Sequence, residues 1–221
     1  AAHGHPVIPA AAVADIGGGT LPAVVNILLA LMQREKTGKG THLDIAMAEN
    51  TLAWMPRALG AASVGQPVPL ASEGRHLGGK PRNAIYVTAD GKALAVGAIE
   101  PQFWNRFCEL IGLPTDLRDD SRNPQAVRDA VAALIAGQDS TAWLARFAGE
   151  DVCVDLVQDI GGALHDAHFQ ARGIWERQLR LANGRTLAAL PVPVARQFTD
   201  GGTRGYPAPV SYTHLTLPTI L

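Results

Sequence analysis

Hydrophobic positions early in the chain recur three and four residues apart, from Leu21 to Met32. This spacing predicts an α-helix with apolar side chains on most of its faces. Pro22 in the first turn and Gly38 beyond the last turn are typical of the two ends of a helix. We therefore expect a buried helix here, and its apolar run is shorter than the ~20 residues that span a bilayer.

The pattern changes character after this helix. Alternation predicts a short strand at residues 41–47, and a second helix is expected at residues 48–62. Residues 61–83 are rich in Gly and Pro and lack periodicity, which predicts a linker or a binding loop. Two strand-like runs then flank Asp90-Gly91, a pair typical of a β-hairpin turn.

The second half of the chain continues the mixture of helices and strands. A helix is expected from Glu100 to about Gly112, because Pro101 occupies its first position. The pattern further predicts helices at 123–137 and 140–149, with Ser140 as N-cap of the second, a strand at 152–157, a helical or 3₁₀ segment at 159–173, and a hairpin at 174–190 around Asn183-Gly184. These elements predict an α/β class with a smaller α+β part at about residues 84–175.

Composition narrows the functional classes. The 221 residues are 47% hydrophobic and 18% charged, enough for one large domain or two small ones. The net charge of −1 and the absence of basic runs argue against nucleic acid and against a polybasic membrane anchor. Cys108 and Cys153 lie far apart in the sequence, which favours a reducing compartment and hence the cytoplasm. We expect neither a nucleic-acid nor a membrane partner.

The two termini do not look like natural boundaries. The chain lacks an initiating Met and a signal peptide, so we expect it to begin within a fold. Residues 210–221, "VSYTHLTLPTIL", resemble one reading frame of a translated sequencing adapter. The alternative for this tail is a genuine β-prone segment.

Asp15 precedes three glycines in "VADIGGGTLP" and is the first candidate for chemistry. It could simply cap the following helix, since Asp accepts hydrogen bonds from free N–H groups of a first turn. Gly17, Gly18 and Gly19 argue against a cap alone, because each costs about 0.5–1 kcal/mol relative to Ala in a helix start. Their backbone could instead admit a ligand or stabilise an oxyanion, with the carboxylate as base or nucleophile.

Two further sites are candidates. Glu100 follows an apolar strand and precedes a helix, a junction where a side chain can project into a cleft, although a favourable position at the helix dipole explains it equally well. Gly78 and Gly79 in "RHLGGKP" could form a flap over a ligand or an ordinary turn.

Cofactor signatures are absent from the sequence. His165 and His168 flank Asp166, but no further Cys or His cluster accompanies them, which argues against a metal site. "GGGTLPAV" has neither the G-x-G-x-x-G spacing of dinucleotide sites nor the Gly-Lys-Ser/Thr of a P-loop. We expect no metal and no nucleotide cofactor.

Three blocks in this order resemble the family III CoA-transferases (the CaiB/BaiF type), which include α-methylacyl-CoA racemases and formyl-CoA transferases. They are "ADIGGGTLPAVVNILLALMQREKTGKGTHLDIAMAEN", "GGKPRNAIYVTADGKALAVGAIEPQFW" and "HDAHFQARG". The resemblance extends from about residue 7 to 209. The loop departs from the racemase pattern Asp-Gly-Gly-Ala-Pro, because this chain has Leu77-Gly78-Gly79-Lys80-Pro81.

The resemblance implies a fold and roles for residues. The fold would be α/β, with the C-terminal part of a Rossmann-like large domain plus a smaller α+β domain, in a family that forms interlocked homodimers. The implied divisions are residues 1–60 in the large domain, 61–83 in the linker and glycine loop, 84–175 in the small domain, 176–209 in a return segment and 210–221 in the adapter-like tail. Asp15 matches the catalytic aspartate, and Glu100 matches a glutamate that supports a racemase histidine. Gly78 and Gly79 match the glycine loop over the active site. In an enzyme of this kind, the ligand that the backbone of Gly17, Gly18 and Gly19 is expected to admit would be the substrate or CoA.

The implied activity is epimerisation of a 2-methylacyl-CoA, with the CoA thioester as substrate and no other cofactor. The alternatives are CoA transfer to a free carboxylic acid through an aspartyl intermediate, and a non-catalytic protein of the same fold. The resemblance also implies a preceding half-domain that carries the histidine. The given chain is therefore expected to be a truncated fragment with little activity.

Overall fold

The computed structural model describes residues 8–68, 78–181, 183–198 and 205–207. The chain divides into two compact units, Ala1–Leu156 and Val157–Leu221. The adapter-like segment predicted at 210–221 lies outside the described residues.

The first unit begins with one long helix. A π-helix at Val13–Thr20 continues directly into α1, Leu21–Thr37. The N–H of Gly38 donates to the carbonyl of Arg34 at 2.8 Å and ends α1, as predicted. Together the two segments form a helix of 25 residues, Val13–Thr37, with a mean hydropathy of 1.5. Within the described part of the chain, this helix alone has the length and composition to cross a membrane, a test that core helices of soluble proteins also pass.

The expectation that α1 is buried is wrong for this structure. No residue of α1 is buried, and Leu28, Leu29 and Met32 are 56–58% exposed. The apolar spacing does specify the helix, but burial needs packed layers on several sides, and the described residues supply none that covers α1.

The predicted strand at residues 41–47 and the single helix at 48–62 are also wrong. Residues 41–46 have no regular structure, because no strand in the described part of the chain lies beside them to share hydrogen bonds. Two short helices follow, α2 at Met47–Leu52 and α3 at Pro56–Ser63. Proline restricts the residue before it to non-helical conformations, and Met55 indeed has φ −111° and ψ 41°.

A three-stranded antiparallel sheet follows. Its strands are β1 at Ala84–Val87, β2 at Ala93–Val96 and β3 at Val154–Leu156, in the order β1-β2-β3. The predicted hairpin around Asp90-Gly91 is confirmed, with Gly91 at φ 74° where a side chain would be strained. Strand β1 alternates buried and exposed residues, so one of its faces packs on the core.

Three helices pack with this sheet. They are α4 at Pro101–Ile111, α5 at Pro124–Ile135 and α6 at Ser140–Phe147. The predicted limits of α4 are confirmed, with Glu100 as N-cap residue and Gly112 as C-cap. Ser140 is not the N-cap of α6, because Asp139 holds that place and the Asp90 carboxylate takes up the Ser140 N–H and hydroxyl.

The core of the first unit is rich in aromatic side chains from these helices. Trp104 and Phe107 of α4 are fully buried, and Trp143 and Phe147 of α6 are nearly so. Trp143 stacks on Phe147 at 5.7 Å and 15°, and its indole N–H donates to the Ile135 carbonyl at 2.9 Å. Burial of these rings contributes a large share of the hydrophobic stabilisation.

The second unit contains short elements. Helices α7, Ile160–His165, and α8, Ala167–Ala171, confirm the predicted helical segment. Strands β4 at Gln178–Arg180 and β5 at Thr186–Ala188 confirm the second hairpin, and β6 at Gly205–Pro207 pairs with β4 in parallel.

Candidate functional site

Asp15 lies within the π-helix, in its first turn. Its side chain is exposed, and no residue in the described ranges donates a hydrogen bond to its carboxylate, although the Thr20 hydroxyl donates to its backbone carbonyl at 3.1 Å. Asp15 does not cap a helix in this structure. Ala12 is the N-cap residue of the π-helix and Thr20 that of α1, and neither helix receives a capping hydrogen bond from the Asp15 side chain. The carboxylate is therefore free to meet a ligand.

The three glycines after Asp15 have a packing role. The Trp54 indole lies against Gly17, so a Cβ there would overlap the ring. A Cβ on Gly18 would lie 2.8 Å from the Met47 carbonyl oxygen, and that on Gly19 would lie 3.2 Å from Cγ of Met47. The glycines thus let the π-helix approach α2 and the residues after it closely.

Backbone hydrogen bonding modifies the predicted role of these glycines. A π-helix pairs each N–H with the carbonyl five residues earlier, as the Leu21 N–H does with the carbonyl of Ile16. The N–H groups of the glycines inside this helix are thus engaged by the same pattern. The Gly18 carbonyl is also taken, since it accepts from the Asn50 side chain at 2.8 Å. Binding of substrate by Gly17, Gly18 and Gly19 stays a prediction.

Glu100 is exposed at the junction of β2 and α4, as predicted. Its φ of −74° and ψ of 145° are extended, and its side chain makes no capping hydrogen bond. Loss of solvent contact raises the pKa of the Cys153 thiol, and the negative charges of Asp151 and Glu100 raise it further, by a smaller amount. Among the described residues, no hydrogen bond or ion pair joins Glu100 to Asp15, so its supporting role also stays a prediction.

The described end of the glycine loop, from Gly78 onward, is attached to the core of the first unit at several points. Gly78 has φ 85°, a conformation that favours glycine, and its carbonyl accepts a hydrogen bond from the Arg128 guanidinium. The Tyr86 hydroxyl donates to the Pro81 carbonyl at 2.8 Å. Burial raises the pKa of Tyr86 far above its ordinary value, so this hydroxyl stays protonated and donating. The described end of the loop, Gly78 and Gly79 included, is thus held in place.

A cleft of about 230 Å³ opens beside the end of this loop. Its lining residues are Lys80, Arg82, Ile99, Asp120 and Ser121. Arg82 pairs with Asp120 at 2.9 Å, and its guanidinium lies 5.1 Å from the centre of the Trp104 ring. Ile99 directly precedes Glu100, so the cleft adjoins a residue that the sequence singled out.

From the sequence, Lys80 stands out only as a departure from the loop pattern, and the other residues of the cleft were not predicted. The motif "GGKPR", in which two cations follow paired glycines, is the feature of the sequence that could have indicated the cleft. Asp120 gave no such signal, because its pairing with Arg82 spans 38 positions.

The histidine segment has a structural explanation. The Asp166 carboxylate accepts from the N–H groups of His168 and Phe169 at 2.9 and 3.2 Å and thereby caps α8. No group of three or more metal-ligating side chains exists among the residues that the structure describes.

Comparisons with known proteins show the family of this chain. The family model of CoA-transferase family III matches residues 1–213. The chain is 34% identical over 175 residues to the alpha-methylacyl-CoA racemase of Mus musculus, covering 76% of this chain and 45% of that protein. It is 28% identical over 168 residues to the acetyl-CoA:oxalate CoA-transferase of Acetobacter aceti, covering 72% of this chain and 42% of that one. The chain thus spans less than half the length of these relatives.

The fold agrees with solved structures. A CaiB/BaiF family protein from Brucella suis aligns with a TM-score of 0.66 at 21% identity, over 89% of this chain and 52% of that chain. This likeness confirms the mixed α/β fold. The family match over nearly the whole sequence confirms what the three sequence blocks indicated: the chain belongs to CoA-transferase family III, whose members include racemases and CoA-transferases.

Proposed function

We propose that the protein containing this chain epimerises the α-carbon of a 2-methylacyl-CoA, with Asp15 as the base that removes the α-proton. The observation that carries the proposal is the exposed Asp15 carboxylate, to which no described residue donates a hydrogen bond. A general base needs an available lone pair, and an exposed carboxylate without a hydrogen-bond donor among the described residues fits that requirement. The 34% identity to a racemase supports the same reaction.

Epimerisation needs a second acid that returns the proton to the opposite face of the α-carbon. The resemblance assigns that task to a histidine supported by the residue matching Glu100. The exposed position of Glu100 without a capping bond leaves its carboxylate available to orient such a partner. In this proposal Glu100 is a positioning residue.

CoA transfer is the second candidate. The same free carboxylate could attack the thioester carbonyl, break its C–S bond and release CoA thiolate, leaving a mixed anhydride on Asp15. Thiolate attack on the aspartyl carbonyl would then release the first acid and leave an aspartyl-CoA thioester. The likeness to an acetyl-CoA:oxalate CoA-transferase favours this candidate.

Further parts of the account are proposals that rest on the family resemblance. We infer an interlocked homodimer in the cytoplasm, with residues 1–60 in a Rossmann-like large domain and 84–175 in a small domain. We also infer that the 221-residue chain alone has little activity, because the resemblance places the histidine in a preceding segment. No nucleic acid, membrane or cofactor other than the CoA substrate enters the proposal.

An isotope experiment separates the two reactions. The complete gene product that contains this chain is incubated with a 2-methylacyl-CoA in D₂O, and α-deuterium is measured by mass spectrometry. Racemisation predicts deuterium at the α-carbon, whereas transfer predicts exchange with a labelled free acid and a hydroxylamine-sensitive adduct on Asp15. If neither α-deuterium nor exchange with the labelled acid is detected, the result supports the non-catalytic alternative.

A further inference from the structure

We propose that Asn50 is a positioning residue for Asp15, because its side chain fixes the π-helical turn that carries the Asp15 carboxylate. The inference rests on the proposed function, since it concerns how the proposed base is held. It gives a role to a residue that no motif of the sequence singled out.

The Gly18 carbonyl lacks the donor that an α-helix would supply. In the α-helical pattern it would pair with the N–H of residue 22, but Pro22 has no N–H, and a proline ring also crowds the carbonyl four residues before it. The helix is widened to a π-helix over Val13–Thr20, directly before this proline. Gly18 is buried, and a buried carbonyl is unfavourable without a hydrogen-bond donor.

Asn50 supplies a donor to this carbonyl from α2. Its side-chain amide donates to the Gly18 carbonyl at 2.8 Å, across 32 positions of the sequence. The approach requires glycine, since a Cβ on Gly18 would lie 2.8 Å from the Met47 carbonyl oxygen and 2.9 Å from Cγ2 of Thr51. Asn50 is half-buried, and its N–H donates to the Ala46 carbonyl at 3.1 Å. The side chain therefore extends from a fixed helical backbone.

The turn that Asn50 holds is the turn that contains Asp15. Gly18 follows Asp15 by three residues, so both lie within one turn of the π-helix. In the same turn the Thr20 hydroxyl donates to the Asp15 carbonyl at 3.1 Å. These bonds hold the backbone, while no described residue donates to the carboxylate itself. Because a misplacement of about 1 Å can slow a reaction about a hundredfold, the backbone of this turn governs how well the base meets the α-proton.

The first measurement needs no turnover. Amide hydrogen exchange in the complete gene product that contains this chain is followed by mass spectrometry for residues 16–21. Asn50→Leu keeps the approximate size of the side chain but removes the donor, so it should speed exchange in this segment several-fold. Asn26→Leu is the matched control, because it removes a half-buried Asn that donates to the Pro22 carbonyl at 2.9 Å within α1. It should leave exchange of residues 16–21 unchanged.

The second measurement follows α-deuterium incorporation into a 2-methylacyl-CoA in D₂O. Asn50→Leu should lower kcat about tenfold or more and leave KM within about twofold, because a misplaced base weakens the transition state and not substrate binding. Asn50→Gln keeps the amide on a longer side chain and should recover part of the rate. Asn26→Leu should retain the wild-type kcat and KM. If the wild type catalyses acid exchange instead, the same variants are compared in that reaction, since nucleophilic attack needs the same placement of Asp15.

A smaller substitution keeps the test decisive if Asn50→Leu does not fold. Asn50→Ser shortens the side chain and removes the amide, and it should lower kcat in the same way while its circular dichroism spectrum stays that of the wild type. Recovery by Asn50→Gln is judged against this variant.

Failure of the positioning role and failure of the proposed function give different results. In an active wild type, unaltered exchange of residues 16–21, faster exchange with an unchanged kcat, or a change confined to KM would each overturn the role of Asn50 alone. A wild type that catalyses neither deuterium incorporation nor acid exchange would refute the proposed function, and the positioning role with it.

Discussion

The Asp90 carboxylate, in the turn of the first hairpin, accepts hydrogen bonds from the backbone N–H of Ser140 at 3.0 Å and from its hydroxyl at 2.7 Å. These bonds, with a third from the Thr88 hydroxyl at 2.5 Å, hold the pKa of Asp90 well below its ordinary value of 3.8. Asp90, which precedes Ser140 by 50 positions in the sequence, therefore accepts hydrogen bonds at the N-terminus of α6 and ties that helix to the sheet.

The first prediction concerns this connection. Asp90→Ala should lower the midpoint of thermal unfolding by several degrees at pH 7, because it leaves the Ser140 N–H and the first turn of α6 without their acceptor. Asp116→Ala, which removes an exposed carboxylate from a short 3₁₀ helix, is the matched control and should change the midpoint little. Equal midpoints for the two variants, measured by circular dichroism, would contradict this role.

The depressed pKa of Asp90 also predicts a pH dependence. A carboxyl group whose pKa is lower in the folded than in the unfolded state stabilises the fold above the unfolded value, near 3.8, and loses that contribution as the pH falls toward the folded value. The difference in unfolding free energy between wild type and Asp90→Asn should thus be constant from pH 5 to 7 and shrink below about pH 4. Urea titrations across this range check the direction, and a difference that grows on acidification would refute it.

A third prediction addresses the aromatic core. Phe107 is fully buried, with its ring 5.8 Å from that of Trp104 and 5.9 Å from that of Phe147. Phe107→Ala should lower the free energy of unfolding by about 3–5 kcal/mol through lost burial and a residual cavity. Phe198→Ala, at a position 77% exposed, should change it by about 0.5 kcal/mol or less. Chemical denaturation of both variants measures the contrast.

The fourth prediction separates packing from ligand binding at the glycines. Gly17→Ala should displace the Trp54 indole, because the added Cβ overlaps the ring, and should therefore shift its fluorescence. Gly60→Ala within α3 meets nothing within 4 Å and should be neutral or slightly stabilising. The same overlap should lower the stability of Gly17→Ala. If the double variant Gly17→Ala, Trp54→Ala regains that stability, the overlap with the indole is the cause. Unchanged stability and fluorescence in Gly17→Ala would show that packing does not require this glycine.

Local signals in the sequence predicted much of the secondary structure between residues 84 and 156. The Asp90-Gly91 turn, Pro101 at the start of α4 and Gly112 at its end each act within a few residues, so their outcome could be read from the sequence. The exposure of α1 depends on whether distant parts of the chain pack against it. The hydrogen bonds of Ser140 depend on Asp90, which is distant in sequence. No local pattern encodes those neighbours.

The candidate site divides in the same way. Asp15, Glu100 and the paired glycines Gly78 and Gly79 could be chosen as candidates because their motifs are contiguous in the sequence, and their roles stay predictions. The contact of Trp54 with Gly17 and the pairing of Arg82 with Asp120 join residues 37 or 38 positions apart. The sequence could not predict that Gly17 packs against the Trp54 ring, so a packing role for this glycine was not expected, and ligand binding by the three glycines stays a prediction.

The most direct test of the central claim is the rate of α-deuterium incorporation into a 2-methylacyl-CoA in D₂O, catalysed by the complete gene product that contains this chain. Asp15→Asn should lower this rate about a hundredfold or more, since it removes the proposed base. Glu35→Gln, which neutralises an exposed acid near the end of α1, should retain the wild-type rate. Full exchange activity in a folded Asp15→Asn variant would contradict the assignment of Asp15 as the catalytic base.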